Sequence, residues 1–395
     1  MLFKKLYLRF MNLTTFFNLN YEQIKAEGFD SKFLAFSDLK TYLDLHFKEK
    51  ESAGKSFLGD DLYLLNTGAG SKKVFIWSQM HGNESTGTRA MLDVFNFLKN
   101  DNPFSNRIKS GTNIHYLPML NPDGASRYTR RNACGIDLNR DFLMEASPEI
   151  KVLKRLVNRL NPDFLFNLHD QRTIFNVSGT KNPSSLAFLA PSANEHRNIT
   201  PARKKSMEVI AGMAKELEVI IPGHIARFSD EFYPTSTGDN FMKAGFSNIL
   251  FEAGHFPGDY ERNEVRRFNA LAVLLALDKI ANPGEDESEY YFKIPENDKK
   301  ALDMILRNVS MKSGSAESLV DIGIYFDEKP DLEQKKINLI CRIDEIGDLS
   351  TSFGHREFDL NGAVYKGKTE LYPTPGKTAD FSVGHLVFEN GKFMF

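Results

Sequence analysis

The sequence predicts an α/β fold: a mixed, mostly parallel sheet flanked by helices, followed by a small β-rich C-terminal domain. Three observations carry this. Short apolar runs that read as strands alternate with longer segments of helical spacing through most of the first 284 residues. The conspicuous polar clusters stand at or just past the C-terminal ends of those runs, where open α/β sheets place their sites. After "ANPGEDESE" the texture changes to short strand-like runs broken by Gly, Pro and Asp.

Taken in order, residues 18–50 read as helical and peripheral. "FLGDDLYLLNTG" and "KKVFIWSQM" read as two strands separated by the turn "GAGS". "GTRAMLDVFNFLKN" has helical spacing, with Leu92, Phe95 and Phe97 among its apolar positions. "GTNIHYLPMLNPDG" is a strand that runs into a Pro/Gly turn. "SPEIKVLKRLVNRLNP" is a helix with a Ser cap, Pro at the first helical position and an Asn-Pro stop. "DFLFNLHD" is a strand, "KKSMEVIAGMAKELEV" a helix and "FSNILFEAG" a short, continuously apolar strand. "YERNEVRRFNALAVLLALDKIA" is a helix with a charged opening and an apolar interior. Beyond it, "ENDKKALDMILRNVS" reads as one more helix, and "LVDIGIYF", "INLICRIDEI", "GAVYKG" and "HLVFENGKFMF" as strands. This divides the chain into a larger α/β domain over 1–284 and a small β-rich domain over 285–395.

Bulk composition is that of a soluble globular protein, with 41% hydrophobic and 26% charged residues. Lys plus Arg is 50 against Asp plus Glu 52, so nothing drives the chain toward nucleic acid or an anionic membrane. The two cysteines, Cys134 and Cys341, do not form a disulfide framework. The N-terminal "MLFKKLYLRFMNLTTFFNLNYEQ" is apolar but interrupted by Lys and Arg and lacks a small-residue cleavage site, and no run of about 20 apolar residues spans a bilayer. The expectation is a cytoplasmic protein without stable membrane insertion. Its oligomeric state is not legible.

Four polar clusters recur at strand ends: His81 with Glu84 in "HGNE"; Arg130, Arg131, Asn139 and Arg140 in "TRRNACGIDLNRDF"; His169 in "NLHD"; and Glu252 in "LFEAGH". Singly, each has a bland reading: a surface histidine, a helix-cap glutamate, a salt-bridge arginine, half of a buried ion pair. Together and in this order they point to chemistry. Two imidazoles and one carboxylate form a catalytic zinc set with a fourth position open, and His81, Glu84 and His169 supply it. Glu252 lies inside an apolar run, where a carboxylate is paired, protonated or functional; burial raises its pKa and suits a group that cycles between base and acid. A guanidinium grips a carboxylate by two parallel bonds, so Asn139 and Arg140 read as a receptor for a free terminal carboxylate. Arg130 is placed to face a carbonyl oxygen and stabilise developing negative charge. His115 and Trp77 read as structural.

With "HGNE", "NPDG", "TRRN", "GIDLNRDF", "NLHD" and "FEAG" assembled, the chain resembles the zinc carboxypeptidase family, with a metallocarboxypeptidase-like fold. The resemblance implies His81, Glu84 and His169 as zinc ligands, Glu252 as general base and acid, Arg130 as the oxyanion-stabilising arginine, and Asn139 with Arg140 as the carboxylate receptor. It implies a mobile tyrosine over the substrate, for which Tyr233 is the candidate. The same segment would line the pocket for the terminal side chain, where Asp239 would favour a basic group. One departure is Asn83: many digestive members carry arginine immediately before the metal-binding glutamate. The implied activity is hydrolysis of the amide bond next to a free carboxylate of a peptide. Alternatives of the same chemistry are an N-acyl amino acid amidohydrolase resembling succinylglutamate desuccinylase and aspartoacylase, and an amidase for cell-wall peptides.

Overall fold

The computed structural model describes residues 11–368 and 370–394; the first ten residues of the basic, apolar N-terminal stretch lie outside these. Two compact units emerge. One takes residues up to Gln171 together with Ser184–Asn297, and the other takes Arg172–Pro183 with residues from Asp298 onward. Residues 285–297 thus pack with the first unit, while a segment from mid-chain packs with the second.

The first unit is built on an eight-stranded sheet. Its strands are β1 (Glu51–Lys55), β2 (Asp61–Thr67), β3 (Lys72–Ser78), β4 (Thr112–Leu117), β5 (Phe164–Asp170), β7 (Leu186–Leu189), β8 (Ile225–Arg227) and β9 (Ser247–Ala253), in the order β1-β2-β4-β3-β5-β9-β7-β8. The central strands β4, β3, β5 and β9 are mutually parallel, and antiparallel pairs lie toward the margins. Because β3, β5 and β9 are covered on both faces, they carry near-continuous apolar runs.

Helices α1 (Leu13–Ile24), α2 (Phe36–His46), α3 (Thr86–Lys99), α4 (Pro103–Gly111), α7 (Pro201–Glu218) and α9 (Asn263–Ala281) contribute to the core on one face. Helix α6 (Pro148–Leu160) and the short α8 (Thr237–Lys243) cover the other, packing against Phe75, Trp77 and Leu165. Ser147 caps α6 by accepting from the Ile150 N–H. A four-residue helix, α5 (Pro122–Ala125), follows β4.

The N-terminal helices are not peripheral. Leu13, Phe17, Tyr21 and Ile24 are buried in the main core. The strand-free segment after α1 is held by buried arginines: Arg266 donates to the Ala26 and Phe29 carbonyls while ion-pairing with the fully buried Asp93. The Lys32 carbonyl accepts from Ser85 Oγ at 2.6 Å, immediately after Glu84.

The second unit corrects one reading. "ALDMILRNVSMKS" is not a helix but strand β11 (Ala301–Ser313), central in a sheet of order β13-β12-β11-β14 that also contains β12 (Ala316–Asp331), β13 (Lys336–Gly347) and β14 (Phe353–Asp359). Ala301 to Leu306 are all buried, so the run carries neither period. A continuous apolar stretch does not distinguish a doubly covered strand from a buried helix. A second four-stranded sheet, β15 (Tyr365–Gly367), β16 (Phe381–Val383), β17 (Leu386–Glu389) and β18 (Lys392–Met394), shares its core. The mid-chain strand β6 (Asn176–Val177) pairs with β10 (Asn297–Asp298). Among the described residues no helix is long and apolar enough to cross a membrane.

Candidate metal centre and substrate site

Strand β3 ends at Ser78, and the chain turns through Gln79 at φ 52°. The buried Gln79 side chain fixes the turn by donating to the Gly82 carbonyl at 2.9 Å and accepting from Thr88 Oγ1 at 2.8 Å. Gly82 has no room for a side chain: a Cβ would stand 2.1 Å from the Gly124 carbonyl carbon. This close approach of two backbones aims His81 and Glu84 at the same point.

His169, at the end of β5, meets them there. His81 Nδ1 lies 2.9 Å from Glu84 Oε1, His169 Nδ1 lies 2.8 Å from Glu84 Oε2, and the two Nδ1 atoms are 3.2 Å apart. All three side chains are buried. One donor atom from each falls within 4.8 Å of the others, a group that can hold a metal ion. Donors on a tetrahedral ion at zinc distances sit roughly 3.3 Å from one another, so the spacing fits. The surroundings fit too. His81 Nε2 faces Asp137 Oδ1 at 3.1 Å, the carboxylate–histidine pairing that orients a metal-binding imidazole. Arg130 Nη1 brings positive charge to the same point, 3.2 Å from Glu84 Oε1 and 3.1 Å from His81 Nδ1. Burial pushes the Glu84 carboxyl up, but the two histidines more than offset it and hold Glu84 well below the usual range.

Glu252 is the register partner of His169 on the adjacent strand β9. Burial, then the charges of Glu84 and Asp170, push its carboxyl well above the ordinary range. Two strand ends therefore place a metal-type ligand and a proton-holding carboxyl side by side. Arg262 ties those ends together. It is buried at φ 61°, and its guanidinium donates to the Ala253 and Gln171 carbonyls at 3.1 and 2.9 Å.

Of the adjacent arginines, Arg130 turns into the site, with Nε 3.0 Å from Asp137 Oδ2; Arg131 donates instead to the Gly135 carbonyl. Asn139 and Arg140 sit on the 3-10 turn Leu138–Arg140. Asn139 Oδ1 accepts from the Thr237 N–H at 2.9 Å, joining this turn to α8. The exposed Arg140 guanidinium lies over the Tyr233 ring, 4.1 Å from its centroid, and Tyr233 itself is 50% exposed. Asp239 is brought to the same wall but is engaged. Ser236 Oγ donates to its carboxylate, and the Tyr233 and Ser192 backbones contribute further hydrogen bonds. Burial raises its pKa to about 6. Asn83, between the ligands, keeps a buried Oδ1 with no partner among the described residues.

Sequence reasoning passed over Asp137, Gly82 and Arg262. Asp137 had a signal, an acid of unassigned role inside "GIDLNRDF". For Gly82 and Arg262 the role is visible only once the strand ends are assembled.

Residues 45–173 match the family model described as zinc carboxypeptidase. The chain is 28% identical over 203 residues to a probable carboxypeptidase 2 of Trichophyton verrucosum, covering 49% of this chain and 38% of that protein. It is 27% identical over 225 residues to carboxypeptidase SOL1 of Arabidopsis thaliana, covering 52% of this chain and 45% of that protein. The chain thus spans less than half the length of these curated relatives. Among solved structures, carboxypeptidase A from Helicoverpa armigera superposes with a TM-score of 0.53 at 16% identity, over 66% of this chain and 76% of that one. The large mixed sheet with flanking helices is the carboxypeptidase fold, and the likeness to the zinc carboxypeptidase family holds in sequence and in fold.

Proposed function

We propose that the chain is a zinc-dependent metallocarboxypeptidase that hydrolyses the amide bond next to a free carboxylate of a peptide. The observation that carries this is the convergence of His81, Glu84 and His169 on one point with Glu252 on the neighbouring strand. Those three side chains would hold zinc, which supplies Lewis acidity toward a carbonyl and toward water. Asn139 and Arg140 hold the terminal carboxylate, Arg140 as a fork of donors on the exposed side. Tyr233, already stacked on Arg140, closes over the bound end. Arg130, held by Asp137, donates to the carbonyl oxygen as negative charge develops there. Glu252 takes a proton from the attacking water onto its carboxylate and passes it to the leaving amine nitrogen. Its raised pKa favours the second half of that cycle. The carboxypeptidase relatives favour a peptide over an N-acyl amino acid or a cell-wall peptide.

The test compares peptides with free and amidated C-termini on the zinc-loaded full chain. Release of the last residue should be at least about a hundredfold slower from the amide, because the Asn139–Arg140 receptor loses its charged partner. Equal rates would refute the reading.

A further inference from the structure

The second unit holds a cleft of about 270 Å³, lined by β13, by β15 and by the segment 370–380 that leads into β16. Backbone pairing fixes its wall. The Gly376 N–H donates to the Ile343 carbonyl at 2.7 Å, the Ile343 N–H to the Lys377 carbonyl at 3.0 Å, and the Ala379 N–H to the Cys341 carbonyl at 2.9 Å. At the other end of the segment, Tyr372 Oη donates to the Lys312 carbonyl on β11 at 3.2 Å. Asn390, at φ 49°, stands in the β17–β18 turn, whose Gly391 N–H donates to the Ala379 carbonyl at 2.7 Å. The rim is thus tied to two strands and a turn, and the opening is part of the fold. Its floor is apolar: Ile343 and Tyr365 are buried, and the Tyr365 ring packs on Phe381 with centroids 4.8 Å apart. Its mouth meets solvent: Tyr372 is 39% exposed, and Glu370, Lys377 and Asn390 are exposed as well.

Charge decides what the cleft suits. Two carboxylates line it, Glu370 and Asp380, against one cation, Lys377, which lies 3.7 Å from Glu370. Asp380 has no cationic partner among the described residues; its Oδ1 accepts from the Asn390 N–H at 3.3 Å. The cations next along the chain are committed elsewhere, Lys368 to Glu389 and Arg342 to Asp327. The negative field reaches the floor. Burial, then the charges of Glu370 and Asp380, push the Tyr365 hydroxyl up to about 12, so it stays protonated and neutral at physiological pH.

We infer that this cleft binds a primary ammonium on a short alkyl chain, carried by a free amine or by a lysine side chain. Asp380 supplies the counter-charge, half-buried and so less screened than a surface carboxylate. An ammonium has three N–H donors and no acceptor, which the oxygens of Asp380, Tyr365 and Asn390 complement. The exposed Tyr372 ring adds a π face for the cation. The alkyl stem has Ile343 and the Tyr365 ring to lie on, as charged side chains lay their stems on apolar surface. An anion would meet two carboxylates, and a neutral ligand would leave the Asp380 charge unmatched. The cleft lies wholly in the second unit, and its binding chemistry stands whether or not the first unit is a carboxypeptidase.

Calorimetric titration of the full chain tests this with two matched pairs: n-pentylamine against 1-pentanol, and Nα-acetyl-lysine amide against its norleucine counterpart. At least one amine should bind tenfold or more tightly than its neutral partner, and which one does so identifies the source. Asp380→Asn keeps the side chain's shape and should weaken that amine at least tenfold. Tyr372→Leu keeps an apolar wall without the ring and should weaken it severalfold, leaving the neutral partner unchanged. Asp331→Asn, on β12 outside the cleft, should have no effect. Far-UV circular dichroism checks that each variant is folded. Neutral partners that bind as well as the amines, amine affinity unaltered in Asp380→Asn, or no binding of either amine at millimolar concentration would overturn the inference. So would a neutral disaccharide such as maltose binding more tightly than both amines.

Discussion

Glu252 and Asp239 are both carboxyls driven upward by burial, and what surrounds them separates their roles. Glu252 stands beside the converged ligands, and burial with the like charges of Glu84 and Asp170 favours its protonated form. Replacing it with Gln should leave zinc binding intact and lower kcat by roughly a hundredfold or more, measured on a free-carboxylate peptide. Asp239 instead anchors a loop, and its titration belongs to stability. Its folded pKa of about 6 lies above the ordinary 3.8, so the folded state holds this proton more tightly than the unfolded chain. The stabilisation this gives is complete below pH 4 and is lost as the pH rises toward 6. Denaturant unfolding of wild type and Asp239→Asn should therefore diverge across that window, by about 2 kcal/mol in total, with the wild type losing ground as pH rises. A constant difference from pH 4 to 7 would contradict this. At this scale the sequence was informative about which residues come together: His81 and Glu84 share one short motif and Glu252 ends a strand beside His169. For Asp137 it offered only an acid of unassigned role in "GIDLNRDF", and the role appears once His81 Nε2 and Arg130 Nε are seen on its two oxygens.

Among the elements, the β3–α3 turn does the most. Its backbone runs against Gly124 so closely that Gly82→Ala forces one of the two backbones, the ligand-bearing turn or the Gly124 segment beside it, to shift. That variant should weaken zinc binding at least tenfold, by competition with a chromophoric chelator, while far-UV circular dichroism stays near wild type. Unchanged affinity would show that the turn tolerates more movement than the geometry implies. The elements bearing the site were legible because β3, β5 and β9 carry dense apolar runs ending in polar clusters. Strand β11 was misread as a helix because Ala301 to Leu306 are buried throughout and the run has no period. The N-terminal helices looked peripheral because their anchor, the buried Arg266–Asp93 pair, joins residues far apart in the chain.

For the whole molecule, the ligand set lies entirely within the first unit, and the second unit has its own core around Met304, Leu306, Ile324 and Phe381. Metal bound only to the folded state stabilises by about 2.7 kcal/mol at a free concentration one hundred times its Kd. Removing zinc with a chelator should therefore lower the melting temperature of the first unit and leave a transition of the second where it was, in scanning calorimetry. Equal shifts in both would contradict a site confined to one unit. The sequence changes texture after "ANPGEDESE", but residues 285–297 fall with the first unit and residues 172–183 with the second, and the latter is visible only in the pairing of β6 with β10.

The central claim is that His81, Glu84 and His169 hold one zinc ion while Glu252 stands beside it as a proton carrier. Calorimetric titration of the metal-free full chain with zinc tests it most directly. The account predicts one zinc per chain for wild type and for Glu252→Gln with similar affinity, and a loss of at least a hundredfold for His169→Ala. Unaltered zinc affinity in His169→Ala, or a wild-type chain that takes up no zinc, would contradict it.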